Sequence, residues 1–274
     1  MADVPDEPQF LPGFPPAMAA PEPPRAWRPG DEAPAWNLWE TASIFVVFFV
    51  SVIVAGAVAL GIAAHVGGEK GRAIAELARD PRIIVPAQTA AYVVTVLFIF
   101  IVVRTHAGRV LRALRWNFPS QRVMIFAGAG VLLSFLVQGT SWLLPIPKSL
   151  PIENLFRNAT DAWIMTVFGC TVAPLVEELL FRGILYPALA RRLGMMASIV
   201  ITALGFTLLH TEQLAFAWAP LLMLFAVGLA LTIVRARTGS VGASFLVHVG
   251  YNFTIFVLVW LGSDHFRHLE KMTS

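Results

Sequence analysis

Residues 42–64 read ASIFVVFFVSVIVAGAVALGIAA, twenty-three consecutive positions without a charge. A helix needs about 20 apolar residues to cross roughly 30 Å of hydrocarbon, so this run is long enough to span a bilayer. Comparable runs follow at Ile83–Val103, Val123–Leu144, from Ala162 through Pro174, Met195–Leu209, Leu214–Val234 and Val241–Leu261. Apolar residues occupy all faces of most of them, as lipid-embedded helices require. The composition agrees: 57 % of the 274 residues are hydrophobic and 14 % charged, whereas soluble domains carry about 25 % charge. The expected fold is all-α, a polytopic transmembrane bundle of about seven to eight helices. The protein is expected to be integral to the membrane and multi-pass, in the plasma membrane of a bacterium.

Charge is unevenly spread. Residues 1–40 hold seven acids and two arginines, so a net charge of +3 for the whole chain leaves +8 for the rest. Ten prolines in the same forty residues predict a disordered, acidic, Pro-rich tail, with Trp36 and Trp39 as interfacial anchors at its end. Residues 41–158 are expected to form N-terminal membrane helices, 159–263 a catalytic helical core, and 264–274 a short polar tail. The N-terminus lacks a basic region followed by an apolar core, so the first hydrophobic helix is expected to act as an uncleaved insertion signal. One cysteine, Cys170, excludes an internal disulfide framework. No clustered basic face with aromatics points to nucleic acid.

Arginine placement predicts the topology. Arg104, Arg109, Arg112, Arg115 and Arg122 share a stretch without acids and are assigned to the cytoplasm, with Arg191, Arg192, Arg235 and Arg237 on the same side. The N-terminus then lies inside and the C-terminus outside. The loop 65–82 sets four basic residues against three acids and opposes this assignment less than it blurs it.

Ionisable groups at hydrocarbon depth cost a few kcal/mol or more and commonly mark function. Three clusters stand out in the second half. In Glu177-Glu178-Leu-Leu-Phe-Arg182, Glu178 and Arg182 are four apart and share a helical face, so they are expected to pair. Glu177 points about 100° away, which leaves its carboxylate available as a general base. In Phe206-x-x-x-His210 and His248-x-x-x-Asn252 the same spacing puts both members of each pair on one face. Taken singly, these are also read as a snorkelling charge cluster, an interfacial histidine and an interhelical hydrogen bond. Together, one carboxylate, two imidazoles and an amide on separate helices can converge on a buried water and hydrolyse a peptide bond. Glu177, His210 and His248 are equally candidates to hold a divalent metal such as zinc. The His-Glu-x-x-His run of common zinc proteases is absent.

The ordered trio Glu-Glu-x-x-x-Arg, Phe-x-x-x-His and His-x-x-x-Asn resembles the CPBP family, the type II CAAX prenyl endopeptidases and bacteriocin-processing proteins also called the ABI family. The resemblance covers roughly residues 160–262. It implies an intramembrane endopeptidase of eight helices in which Glu177 and His210 activate water and His248 and Asn252 line the oxyanion site. It also implies that Glu178 and Arg182 support Glu177. The family is described both as metalloproteases and as glutamate-type proteases, and its eukaryotic members trim prenylated CAAX proteins. A membrane-associated peptide or protein, prenylated or not, is the expected partner. A non-proteolytic scaffold with the same fold and a proton-relaying transporter are the other readings; the lack of an internal repeat disfavours the transporter. The predicted topology leaves one conflict, since His210 falls near the outer end of its helix and His248 about two turns from the inner end of its own. Residues 179–192, with Pro187 and two flanking arginines, are therefore expected to lie partly along the interface instead of spanning.

Overall fold

The computed structural model describes residues 34, 36–65, 72–147 and 149–269. Most of the expected tail at 1–40, and residues 270–274 of the C-terminal one, lie outside them. Among the described residues the protein is all-helical: α1 Leu38–His65, α2 Pro81–His106, α3 Val123–Thr140, α4 Ala159–Cys170, α5 Val172–Glu178, α6 Tyr186–Leu208, α7 Trp218–Thr238 and α8 Val241–Gly262. A π-helical stretch, Leu179–Leu185, joins α5 to α6. The protein is an integral, multi-pass membrane protein.

Local chemistry sets the helix ends. Asp80 caps α2 by accepting from the Arg82 amide, and Pro81 occupies the first turn, where its missing N–H costs nothing. Asn158 caps α4 and Ser240 caps α8 in the same manner. Helix α7 begins at Trp218, four residues later than the apolar run from Leu214 predicts. Ala215 and Phe216 adopt φ of 55°, a left-handed turn that hydropathy does not register.

Among the described residues, six stretches are long and apolar enough to cross a membrane, and one of them, Ala159–Leu208, has 50 residues. As a straight helix it would run about 75 Å, far beyond one crossing. It bends at Thr171 (φ −126°, ψ −74°) and at Gly194, whose φ of 76° few other residues tolerate. The fourth and fifth expected segments are the limbs of this one bent stretch.

Residues Leu179–Ile184 are enclosed by their neighbours, with Leu180, Arg182 and Ile184 fully buried, while Arg191 and Arg192 are exposed. Two expectations need correction. Trp36 is not an interfacial anchor. It is 1 % exposed, and its indole N–H donates to the Ile184 carbonyl at 3.2 Å, whereas Trp39 is 86 % exposed. Arg235 is not a loop charge that orients a helix. It is buried, its Nε donates to the Arg182 carbonyl at 3.1 Å, and its guanidinium lies 5.4 Å from the Tyr186 ring centre.

Close packing relies on small residues. A Cβ at Gly130 would overlap the Val247 carbonyl, and one at Gly250 would overlap the Ala127 carbonyl, so α3 and α8 cross almost backbone to backbone. Helices in lipid associate through such contacts because no hydrophobic force separates side chains from acyl chains. At one end, the 107–119 connection meets the α7–α8 turn: the Val241 amide donates to the Arg115 carbonyl at 3.0 Å. The opposite end is pinned by charge. Arg157 bonds both Asp80 and Asp161 at 2.8 Å, and Arg72 reaches Asp80 at 3.1 Å. Arg72 in the 65–82 loop is therefore already neutralised by acids, which accounts for the ambiguous charge balance there.

Candidate active site

Glu177 and Glu178 end α5. Glu178 is wholly buried and fully engaged: its Oε1 accepts from Arg182 Nη1 and from His248 Nδ1, both at 3.0 Å, and its Oε2 lies 2.6 Å from the Ser244 hydroxyl. Arg182 is also buried. It donates to the Gly228 carbonyl (3.1 Å) and to Thr232 Oγ1 (3.3 Å), and its guanidinium sits 4.7 Å from the Phe206 ring centre. Such a pair avoids the desolvation penalty of an isolated charge because every face has a partner.

Glu177 differs. Its Oε2 is 3.7 Å from His248 Nε2 and its Oε1 is 3.9 Å from His210 Nε2. Both separations exceed a direct hydrogen bond of about 2.7–3.2 Å. Each imidazole is oriented through its other nitrogen. His210 Nδ1 lies 2.9 Å from the Phe206 carbonyl, and His248 Nδ1 faces Glu178. A carbonyl only accepts, and so does an ionised carboxylate, so both Nδ1 atoms carry hydrogen, and both Nε2 atoms are turned toward Glu177, where each can hold a lone pair or a second proton.

This arrangement removes the depth conflict. His210 does not reach outward from its helix end; its ring folds back along α6 onto Phe206, with ring centres 4.9 Å apart. The Phe206 ring also meets His248 at 5.8 Å and so spaces the two imidazoles. Motif order thus predicts a convergence that a count of helical turns does not.

Asn252 lines the same cavity, but its amide is committed on one side: Nδ2 donates to the Gly169 carbonyl at 2.7 Å. The break at Thr171 interrupts the helical ladder near that carbonyl, and Asn252 takes advantage of the gap to tie α8 to α4. The cavity has a volume of about 540 Å³ and a mainly apolar lining that includes Glu177, His210, His248 and Asn252. Cys170 is not among its lining residues.

Several participants escape the sequence reading. Ser244 and Thr232 complete the Glu178–Arg182 network, and Ser244 stands four residues before His248, a spacing that could have revealed it. Tyr92, also in the cavity wall, accepts from Gln88 Nε2 at 2.9 Å and is near enough for Glu177 to act on it electrostatically. Gln88 and Tyr92 carry the same four-residue signature within an apolar helix.

Residues 159–254 match the family model described as type II CAAX prenyl endopeptidase, Rce1-like. The chain carries a CPBP-family domain. No curated protein and no solved structure matches it. The CPBP domain spans α4 through most of α8 and holds all three motifs, while α1 to α3 lie outside it.

Proposed function

We propose that the protein hydrolyses peptide bonds within the membrane, with Glu177 as general base on a water held between it and the two imidazoles. The supporting observation is the pair of gaps, 3.7 and 3.9 Å, between Glu177 and the Nε2 atoms. They are too wide for direct bonds and narrow enough for one molecule hydrogen-bonded to both sides at about 2.8 Å. A residue retained only for packing would have a direct partner, as Glu178 does, so the scaffold reading is disfavoured at Glu177.

Glu177, assisted by His210, takes a proton from the water as oxygen attacks the scissile carbonyl, and returns it to the departing amine. His248, protonated on Nε2 and balanced by Glu178 behind it, stabilises the oxyanion together with the second amide hydrogen of Asn252. Glu178 and Arg182 hold His248 and the Glu177 segment in place.

A divalent ion such as zinc is the second occupant to consider. Two neutral imidazoles and a carboxylate are suitable donors, and the Glu178–His248 bond is of the kind that orients metal-bound histidine. Zinc would be held by Glu177, His210 and His248 and would acidify a water or polarise the carbonyl. The 3.7 and 3.9 Å separations admit either occupant, and chelation distinguishes them.

The substrate is a membrane-associated peptide. C-terminal processing of a prenylated CAAX-type protein is the form in keeping with the family match. The deciding experiment is cleavage by reconstituted protein. Glu177→Gln is expected to lower the rate by about 10²–10⁴ with an unchanged unfolding midpoint, and wild-type rates from that variant would end the proposal.

A further inference from the structure

Glu153 is a second acid in the cavity wall, outside the three motifs and outside the matched domain. It sits on the single 3-10 turn Pro151–Leu155, and the neighbouring Ile152 amide donates to the Gln213 carbonyl at 3.2 Å, three residues beyond His210. That bond holds the turn beside the His210 segment. Glu153 is half-buried, and its Oε2 is shielded from solvent with no hydrogen-bond partner among the described residues. A carboxylate oxygen so placed is stabilised by a donor, and a substrate group entering the cavity can supply one.

The rest of the lining indicates what that guest is. Besides Tyr92 and Tyr251, the ionisable side chains among the described lining residues are Glu153, Glu177, His210 and His248, with no Lys or Arg among them. A substrate side-chain carboxylate placed beside Glu153 would meet that acid with no compensating cation among the described lining residues. One presenting an ammonium or guanidinium would form a charge-assisted hydrogen bond with Glu153, while its aliphatic stem packs on apolar neighbours such as Phe156 and Phe256. Glu177 contributes negative potential to the same space.

We infer that Glu153 is a specificity residue, selecting substrates with a positive charge near the scissile bond: a Lys or Arg side chain or a free α-amino group. The inference rests on the peptidase reading above, and its test separates the two. Full-length protein in nanodiscs is titrated with matched fluorescent peptides differing at one position, Lys, Gln or Glu, each with free and acetylated N-terminus. Cleavage of the same peptides is followed in parallel. Wild type is expected to bind the Lys peptide about tenfold more tightly than the Gln peptide, as a charge-assisted bond implies. Glu153→Gln erases that preference and Glu153→Lys turns it toward the Glu peptide. Both variants must retain the wild-type unfolding midpoint; if Glu153→Lys does not, Glu153→Gln and the acetylation series carry the test. Loss of the preference on acetylation alone assigns the α-amino group and its survival assigns the side chain. Identical selectivity in wild type and Glu153→Gln overturns the inference. Charge-selective binding without cleavage removes the peptidase reading and leaves this one standing; cleavage blind to charge does the reverse.

Discussion

Glu178 Oε1 accepts from His248 Nδ1 at 3.0 Å and from Arg182 Nη1 at the same distance. One oxygen therefore joins the ion pair that stabilises the interior to the imidazole that faces Glu177. The two adjacent acids divide their labour by angle: a step of about 100° along the helix sends one into the network and the other into the cavity.

Removing one member of that network leaves the other as an uncompensated buried charge. Glu178→Ala or Arg182→Ala is expected to destabilise the protein by about 3–5 kcal/mol, seen as a large drop in unfolding midpoint in detergent. The double change Glu178→Met with Arg182→Met is expected to recover much of the loss. A double variant as unstable as the sum of the singles would argue against a coupled pair.

The α3–α8 crossing predicts a contrast between two nearby glycines. Gly130→Ala forces a methyl into the Val247 backbone and is expected to cost about 1–3 kcal/mol or more through strain. Gly128 has nothing within 4 Å of where its Cβ would be, so Gly128→Ala is expected to be neutral or to stabilise by up to about 1 kcal/mol through helix propensity. Thermal unfolding of the two variants side by side makes the comparison.

Acid sensitivity is expected at Asp80, outside the spans. Burial there works to raise the pKa, but it is outweighed by hydrogen bonds from the Arg82 amide, Arg157 and Arg72, and the net direction is down. A carboxylate with a folded-state pKa below its unfolded value of about 3.9 contributes stability that is complete above that value. The contribution disappears as pH falls through the folded pKa. Stability should therefore decline below about pH 4, and Asp80→Asn should flatten the decline. Parallel curves for both proteins between pH 5 and 3 on the order of measurement scatter would remove Asp80 from the account.

Chelation tests the occupant of the Glu177 gap. With water there, extended treatment with a zinc chelator leaves cleavage intact and elemental analysis gives far less than one metal per chain. Activity lost to chelation and restored by zinc alone would transfer the site to metal chemistry.

The fold class is legible because hydropathy and length report directly on lipid exposure, as Ala42–Ala64 illustrates. The Glu178–Arg182 pair is legible for a different reason: a four-residue spacing fixes both side chains on one face whatever the tertiary context. What sequence hides is contact between elements. Trp36 reads as an anchor from its position and is buried by Ile184, and Arg235 reads as a loop charge and is sequestered by Tyr186. Glu153 belongs to no motif, and only the turn that carries it across to the Gln213 segment brings it to the cavity. The fold-back of His210 is likewise invisible to a count of residues per turn.

The π-helical link Leu179–Leu185 works as a phase adjuster between two rigid rods. Rewinding those seven positions as an ordinary α-helix, with no residue removed, would rotate everything upstream by about 100° relative to α6. Glu177 and Glu178 would then swing away from His210, His248 and Ser244 at once. The wide turn absorbs one extra residue and so sets the angle at which α5 presents its two acids.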